Sequence, residues 1–172
     1  LANASPIGDF NVLLLALGAE VTAWSANGER SLALEQFFTG YRATGIQKNE
    51  IIKEIRIPVP RGFVSFLKSS KRKAVDIATV NSACRIDLEG ELIEACTLSA
   101  GGAAPVPRVL NETARKMVGC SLGELDLEEI IRTARSEIEP IDDIRGSAEF
   151  RRVLLGNQVR KHILRLKGEE EG

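Results

Sequence analysis

Seven residues, Gly101-Gly102-Ala103-Ala104-Pro105-Val106-Pro107, divide this chain, because paired glycines and spaced prolines continue neither a helix nor a strand. Before them apolar residues recur in short runs with strand-like spacing. After them the spacing is helical, over residues 108–118, 126–138 and 147–166. Strands followed by helices specify an α+β chain, in which three helices pack on one face of an antiparallel sheet.

Within the first part, Asp9 precedes the run from Phe10 to Leu17 and Gly18 follows it, which predicts a short buried helix with Asp9 as its N-cap. Residues 20–25 and 30–34 flank Ala26-Asn27-Gly28-Glu29, a tight-hairpin signature. Phe37 and Phe38 occupy a turn or single helical turn, and 39–47 reads as loop. Residues 50–58 predict a half-buried strand with Ile51, Ile55 and Ile57 inward, closed by Pro58 and Pro60. Strands at 62–70, 77–88 and 91–100 complete an antiparallel meander, with Glu89-Gly90 turning the last pair. A boundary at 58–61 then separates a unit of residues 1–60 from a sheet-plus-three-helices unit of residues 61–172, and 167–172 reads as a solvated tail.

The charge balance, 23 Lys+Arg against 24 Asp+Glu, excludes a strongly basic nucleic-acid footprint. Cys84, Cys96 and Cys120 are odd in number and widely spaced, which points to reduced thiols in a cytoplasmic protein and away from metal ligation by this chain. The longest apolar run, 12–17, falls far short of the roughly 20 residues of a membrane-spanning helix, and no basic cluster marks a secretory signal. The chain opens Leu1-Ala2-Asn3 and its only Met is Met117, so a piece of a longer protein is expected.

Few residues offer chemistry of their own. His162 lies among Arg160, Lys161 and Arg165 and reads as an exposed helical histidine without an acid–base partner, which argues against a Ser-His-Asp or Cys-His hydrolase. Asp142 and Asp143 follow Pro140 just before a helix, the position of turn-forming carboxylates. Gly101-Gly102 lacks the Lys and Ser/Thr of a phosphate loop and reads as a strand end crossing closely beneath a helix. Lys68, Lys71, Arg72 and Lys73 form a short basic cluster, either a solvated loop or a face for an anionic cofactor or acidic partner. Spacing alone gives no self-sufficient catalytic site.

Several uncommon segments nevertheless occur in one order: Asn3-Ala4-Ser5-Pro6-Ile7-Gly8-Asp9, Phe37-Phe38-Thr39-Gly40-Tyr41-Arg42, Glu50-Ile51-Ile52 with Ile57-Pro58, Asp76-Ile77-Ala78-Thr79-Val80, Gly101-Gly102-Ala103-Ala104-Pro105 and Ser147-Ala148-Glu149-Phe150-Arg151-Arg152. In that order they resemble the FAD-binding medium subunit of molybdenum hydroxylases, the family of xanthine dehydrogenase and aerobic carbon monoxide dehydrogenase. The resemblance implies the distal part of a second FAD-binding (PCMH-type) subdomain up to about Pro60, then the whole C-terminal domain of the CO dehydrogenase flavoprotein type. It implies an oxidoreductase component that relays electrons. A molybdopterin large subunit hydroxylates substrate, an iron–sulfur small subunit carries electrons on, and FAD passes them to an acceptor such as NAD.

Residue by residue, the resemblance puts Asn3, Asp9, Ile52 and Lys68 at the cofactor. Asp9 would accept a hydrogen bond from a ring N–H or chain hydroxyl, Ile52 would pack on the ring, and Lys68 would stabilise electron density in the reduced ring. The glycine-rich segments that wrap the FAD pyrophosphate in the family have no counterpart in this sequence. The isolated chain is therefore expected to bind FAD poorly and to be inactive alone. The competing reading is a cofactor-free docking or assembly module of the same complex, with self-association of the isolated piece left open. A nucleic-acid adaptor built on Lys71-Arg72-Lys73 conflicts with the near-neutral charge.

Overall fold

The computed structural model describes residues 1–169. The chain runs α1 (Asp9–Ala16), β1 (Glu20–Ser25), β2 (Gly28–Ala33), α2 (Leu34–Phe37), β3 (Phe38–Gly40), β4 (Ala43–Thr44) and β5 (Ile51–Arg56). It continues through β6 (Phe63–Ser69), β7 (Val80–Glu89), β8 (Leu92–Gly101), β9 (Arg108–Val109), α3 (Asn111–Arg115), α4 (Leu127–Ser136) and α5 (Ala148–Lys167). Three antiparallel sheets result, ordered β2-β1-β5, β3-β4 and β6-β7-β8-β9. This is the expected α+β arrangement.

Alternation along β7 decides what covers each face of the large sheet. Val80, Cys84 and Ile86 join Leu98 of β8 and the buried Leu155, Val159 and Ile163 of α5 in the main core. Those three α5 side chains recur at i, i+4 and i+8, and each fully buried one stabilises the fold by about 1.5–3 kcal/mol. Ala83 faces the other way and packs with Val12 and Ala16 of α1. The helix at the start of the chain thus lies on the sheet formed near its middle. A further core gathers Leu14, Leu15, Val21, Leu34 and Phe37.

The 20–34 hairpin forms as expected, with Ser25 paired to Gly28 around Ala26-Asn27. The positive backbone angle falls on Gly28, at φ 122. Both α4 and α5 start where their caps dictate: Asp126 accepts from the Glu129 N–H and Ser147 from the Phe150 N–H.

Five local expectations change. The loop expected over 39–47 contains most of a small two-stranded sheet, in which β3 pairs Phe38 with Thr44 and Gly40 with Ala43 of β4. The helix expected over 108–118 shortens to α3, because Arg108 and Val109 extend the sheet as β9 and Leu110 N–H donates to Leu98 O at 2.8 Å. On β5 it is Ile52 that turns inward, while Ile51, Ile55 and Ile57 are exposed; a register shift where β5 meets β1 between Thr22 and Ala23 breaks simple alternation. Gly8, not Asp9, caps α1, and the Asp9 carboxylate is drawn sideways to other partners. His162 is fully buried rather than exposed, because α5 turns that face onto β6 and β7. Glu170, Glu171 and Gly172 of the expected tail lie outside the described residues.

Candidate functional site

A cleft of about 640 Å³ opens where the two halves of the chain meet. One wall is the Ser5–Asp9 turn, held by three contacts: Asn11 Nδ2 donates to Ser5 O at 2.9 Å, Gly102 N–H to Pro6 O at 2.9 Å, and Asn81 Nδ2 to Ile7 O at 3.2 Å. Gly101 and Gly102 are required here. A Cβ on Gly101 would collide with Asn81 Oδ1, and one on Gly102, at φ 73, would sit 2.5 Å from Thr79 O. The sequence reading of a strand end passing closely beneath a helix is correct, with α1 above it.

Strand register builds the polar end of the cleft. Lys68 of β6 pairs with Asn81 of β7, so both side chains rise from the same sheet face beneath α1. Lys68 Nζ donates to Asp9 Oδ2 at 2.8 Å and Asn81 Nδ2 to Asp9 Oδ1 at 2.6 Å. Both Asp9 and Lys68 stay partly exposed toward the cleft, whereas Asn81 is fully buried with its Oδ1 unpartnered.

The opposite wall is held by Arg151, which is 2% exposed. Its Nη1 donates to Thr79 O at 2.6 Å and its Nη2 to Asp143 Oδ1 at 2.6 Å, fastening residues 76–79 to the turn at 141–146. Burial opposes the Asp143 charge, but the Arg145 backbone N–H and the Arg151 guanidinium outweigh it and hold the carboxyl below its ordinary range. Asp76 is likewise held down, first by the Arg72 backbone N–H, then by the Arg72 side chain and the Ile77 N–H. Asp142 accepts from Ala148 N–H at 2.5 Å, the turn chemistry its position predicts. Ile7, Ile77, Pro105 and Ile141 supply apolar surface, and Tyr41 stands at the rim beside Arg42, whose guanidinium carbon lies 5.6 Å from the ring centroid.

Of the four residues expected at a cofactor, Asp9 and Lys68 meet in this cleft. Asn3 is exposed in the Leu1–Ala4 turn, closed by Ala4 N–H to Leu1 O at 2.7 Å, and Ile52 is half-buried against the core that contains Val21 and Phe37. Neither lines the cleft. Asn81 and Arg151 were missed as site residues. Pairing Lys68 with the residue opposite it on β7 would have found Asn81; no sequence signal marks Arg151 apart from its motif.

Away from the cleft, His162 bridges two strands, with Nδ1 2.9 Å from Ser65 Oγ and Nε2 2.9 Å from Ser82 Oγ. Burial, helped by the charge of Arg165, pushes its pKa down to about 3, so it is neutral and shielded from any substrate. The thiols of Cys84 and Cys96 are pushed up to about 12 by burial. All three cysteines are free, and no described helix is long and apolar enough to cross a membrane.

What remains is a cleft in which apolar surface from Ile7, Ile77, Pro105 and Ile141 lies between the Asp9–Lys68 pair, a carboxylate acceptor beside an ammonium donor, and a second charged group of Asp76, Asp143, Arg145 and Arg151. That arrangement suits a flat heteroaromatic ring with hydrogen-bonding groups along one edge.

The chain matches two family models: the FAD binding domain in molybdopterin dehydrogenase over residues 1–60, and the CO dehydrogenase flavoprotein C-terminal domain over residues 65–166. It is 34% identical over 152 residues to the glyceraldehyde dehydrogenase medium chain of Sulfolobus acidocaldarius, covering 88% of this chain and 54% of that one. It is 29% identical over 167 residues to the carbon monoxide dehydrogenase medium chain of Afipia carboxidovorans, covering 96% of this chain and 58% of that one. Reconstituted CO dehydrogenase from Oligotropha carboxidovorans has a chain that superposes with a TM-score of 0.89 at 28% identity, over 98% of this chain and 59% of that one. The chain therefore spans between half and three fifths of the medium chains it matches.

Proposed function

Because the chain belongs to the family of FAD-binding medium subunits of molybdenum hydroxylases, we propose that its cleft takes the ring end of FAD and that Asp9 and Lys68 contact it. The observation that carries this reading is the Asp9–Lys68 pair set in the cleft beside the apolar surface of Ile7, Ile77, Pro105 and Ile141. Asp9 would accept a hydrogen bond from the ring, and Lys68 would place a positive charge beside it. Asn81 keeps the carboxylate turned toward Lys68, and the aliphatic walls limit water. Bound there, the flavin would supply two-electron chemistry, taking electrons that originate at a molybdopterin subunit and arrive through an iron–sulfur subunit.

The donor set fits the ring better than the pyrophosphate. The first turn of α1, which borders the cleft, carries the Asp9 carboxylate, which opposes a second anion. The division at residue 60 would then separate a cofactor-binding part from a part that supplies Lys68 and the floor. Asn3 and Ile52, outside the cleft, would act on the cofactor only through a neighbouring part of the subunit. Free thiols at all three cysteines support a reducing, cytoplasmic setting.

The test is flavin content. The complex with iron–sulfur and molybdopterin subunits is purified and its absorbance near 450 nm compared for wild type, Asp9→Asn and Lys68→Met. We expect lower FAD occupancy in Asp9→Asn. A complex that assembles and stays flavin-free in the wild type would instead establish the docking module.

A further inference from the structure

Two polar side chains of α5 are buried against the large sheet: Gln158, 6% exposed, and His162, fully buried one turn later. They meet Ser65 and Ser69 of β6 and Ser82 of β7, on the face of the sheet opposite Lys68 and Asn81. Leu155, Val159 and Ile163 of the same helix fill the core with aliphatics, so packing does not ask for an amide at 158. Gln158 Nε2 donates to Ser69 Oγ at 2.9 Å and to Val80 O at 3.1 Å. Ser69 and Val80 are opposite each other in the β6–β7 register, and the next rung is Lys68 with Asn81. One amide group thus ties the two strands from below, beside the rung that holds Asp9 from above.

Hydrogen-bonding capacity gives this network a single direction. Val80 O only accepts, so it faces the Gln158 nitrogen, which turns Oε1 toward Ser82. Oε1 also only accepts, so the Ser82 hydroxyl directs its one proton there, at 2.7 Å. Ser82 Oγ can then only accept from His162 Nε2, 2.9 Å away, which places the proton of the neutral imidazole on Nε2. Nδ1 is left bare and accepts from Ser65 Oγ at 2.9 Å, and Ser65 in turn accepts from Arg165 Nη1 at 3.4 Å.

We infer that Gln158 is a positioning residue of the cleft: it clamps the Ser69–Val80 rung so that Lys68 and Asn81 stay beneath Asp9, and through Ser82 it fixes the His162 tautomer without touching the ring. The clamp follows from this geometry alone. Only its bearing on a flavin ring rests on the function proposed above.

The test is NMR of the flavin-free 172-residue chain with isotope-labelled histidine, in which the single histidine gives one pair of ring nitrogens. At neutral pH we expect a protonated Nε2 and a bare Nδ1. Gln158→Leu frees the Ser82 proton and should give a mixture of tautomers, whereas Ser65→Ala, which removes a direct ring contact, should leave Nε2 protonated. Hydrogen exchange reads the clamp. Exchange of the Asn81 side-chain amide should speed up about fivefold relative to that of the remote Ile93 N–H, which donates to Cys120 O, in Gln158→Leu and in Ser69→Ala. Ser69→Ala should keep the wild-type tautomer and removes one arm only, so it decides the matter if Gln158→Leu does not fold. A proton on Nδ1 in the wild type, an unchanged ring in Gln158→Leu, or equal acceleration of Asn81 and Ile93 overturns the proposal. Flavin content of the assembled complex is read separately, so failure of the cofactor reading leaves the clamp to be judged on the NMR and exchange results.

Discussion

The Asp9 carboxylate lies between two residues far from it in sequence: Lys68 Nζ at 2.8 Å from Oδ2 and Asn81 Nδ2 at 2.6 Å from Oδ1. Asn81 is buried and Lys68 is not, so the two contacts differ in consequence. Removing Lys68 breaks a partly exposed ion pair worth at most about 1 kcal/mol. In Lys68→Met the melting temperature should fall by no more than about 2–4 °C. The flavin reduction potential in the assembled complex should fall as well, because a positive charge favours the reduced ring. Spectroelectrochemical titration measures it, and an unchanged potential counts against Lys68 as a ring contact.

Arg151 should be far less tolerant. Its guanidinium is buried and satisfies Thr79 O and Asp143 at once. Arg151→Met leaves Thr79 O without its donor and the partly exposed Asp143 with only the Arg145 N–H, and an unsatisfied buried acceptor costs about 1–3 kcal/mol. Urea denaturation should show a lower midpoint. Arg151→Lys should recover little, since an ammonium lacks the planar fork that spans both acceptors. A midpoint within error of wild type would refute the stapling role.

Gly102→Ala combines two penalties, the positive φ of 73 and a Cβ placed 2.5 Å from Thr79 O and 2.9 Å from Arg151 Nη1. A loss of about 2 kcal/mol or more is expected, from strain plus displacement of the Arg151 contact. Gly123→Ala, which meets nothing within 4 Å, is the matched control. Equal stability of the two variants would show that the Gly102 site relaxes freely.

His162 gives a pH signature. Its pKa is about 3 in the folded chain against 6.5 in the unfolded one, so the unfolded state binds the extra proton between those values. Its contribution to stability is fully present above pH 6.5 and is lost as pH falls toward 3, with a slope near 1.4 kcal/mol per pH unit. Carboxylates held down in the fold add to the loss below 4.5, Glu50 foremost, lowered to about 2 by Arg30. His162→Gln should flatten the stability profile between pH 6.5 and 4.5, whatever its effect at neutral pH. An unaltered slope in that range would assign the acid sensitivity elsewhere.

Local chemistry made much of the fold legible. Asn27-Gly28 marked its hairpin, Asp126 and Ser147 marked the starts of two helices, and the Gly101–Gly102 pair marked a close crossing, because each acts through its own backbone or within a few residues of it. The errors fell where position depends on a distant surface. The apolar residues of β5 did not reveal which face would be inward, since the register shift against β1 altered the alternation. His162 sits among basic neighbours in sequence, yet its helical face lands on Ser65 and Ser82.

By itself, then, the sequence determined the class of fold, the order of its longer elements and, through motifs in series, the family, while the short strands β3, β4 and β9 went unread. Tertiary structure alone decided the site. Asp9, Lys68 and Asn81 come together because an antiparallel register sets Lys68 opposite Asn81 and α1 crosses that face of the sheet. Arg151 acquires its role because α5 passes beneath two loops separated from each other by more than sixty residues. Hydrogen bonds and ion pairs act over a few ångströms, and only packing brings such residues within that distance.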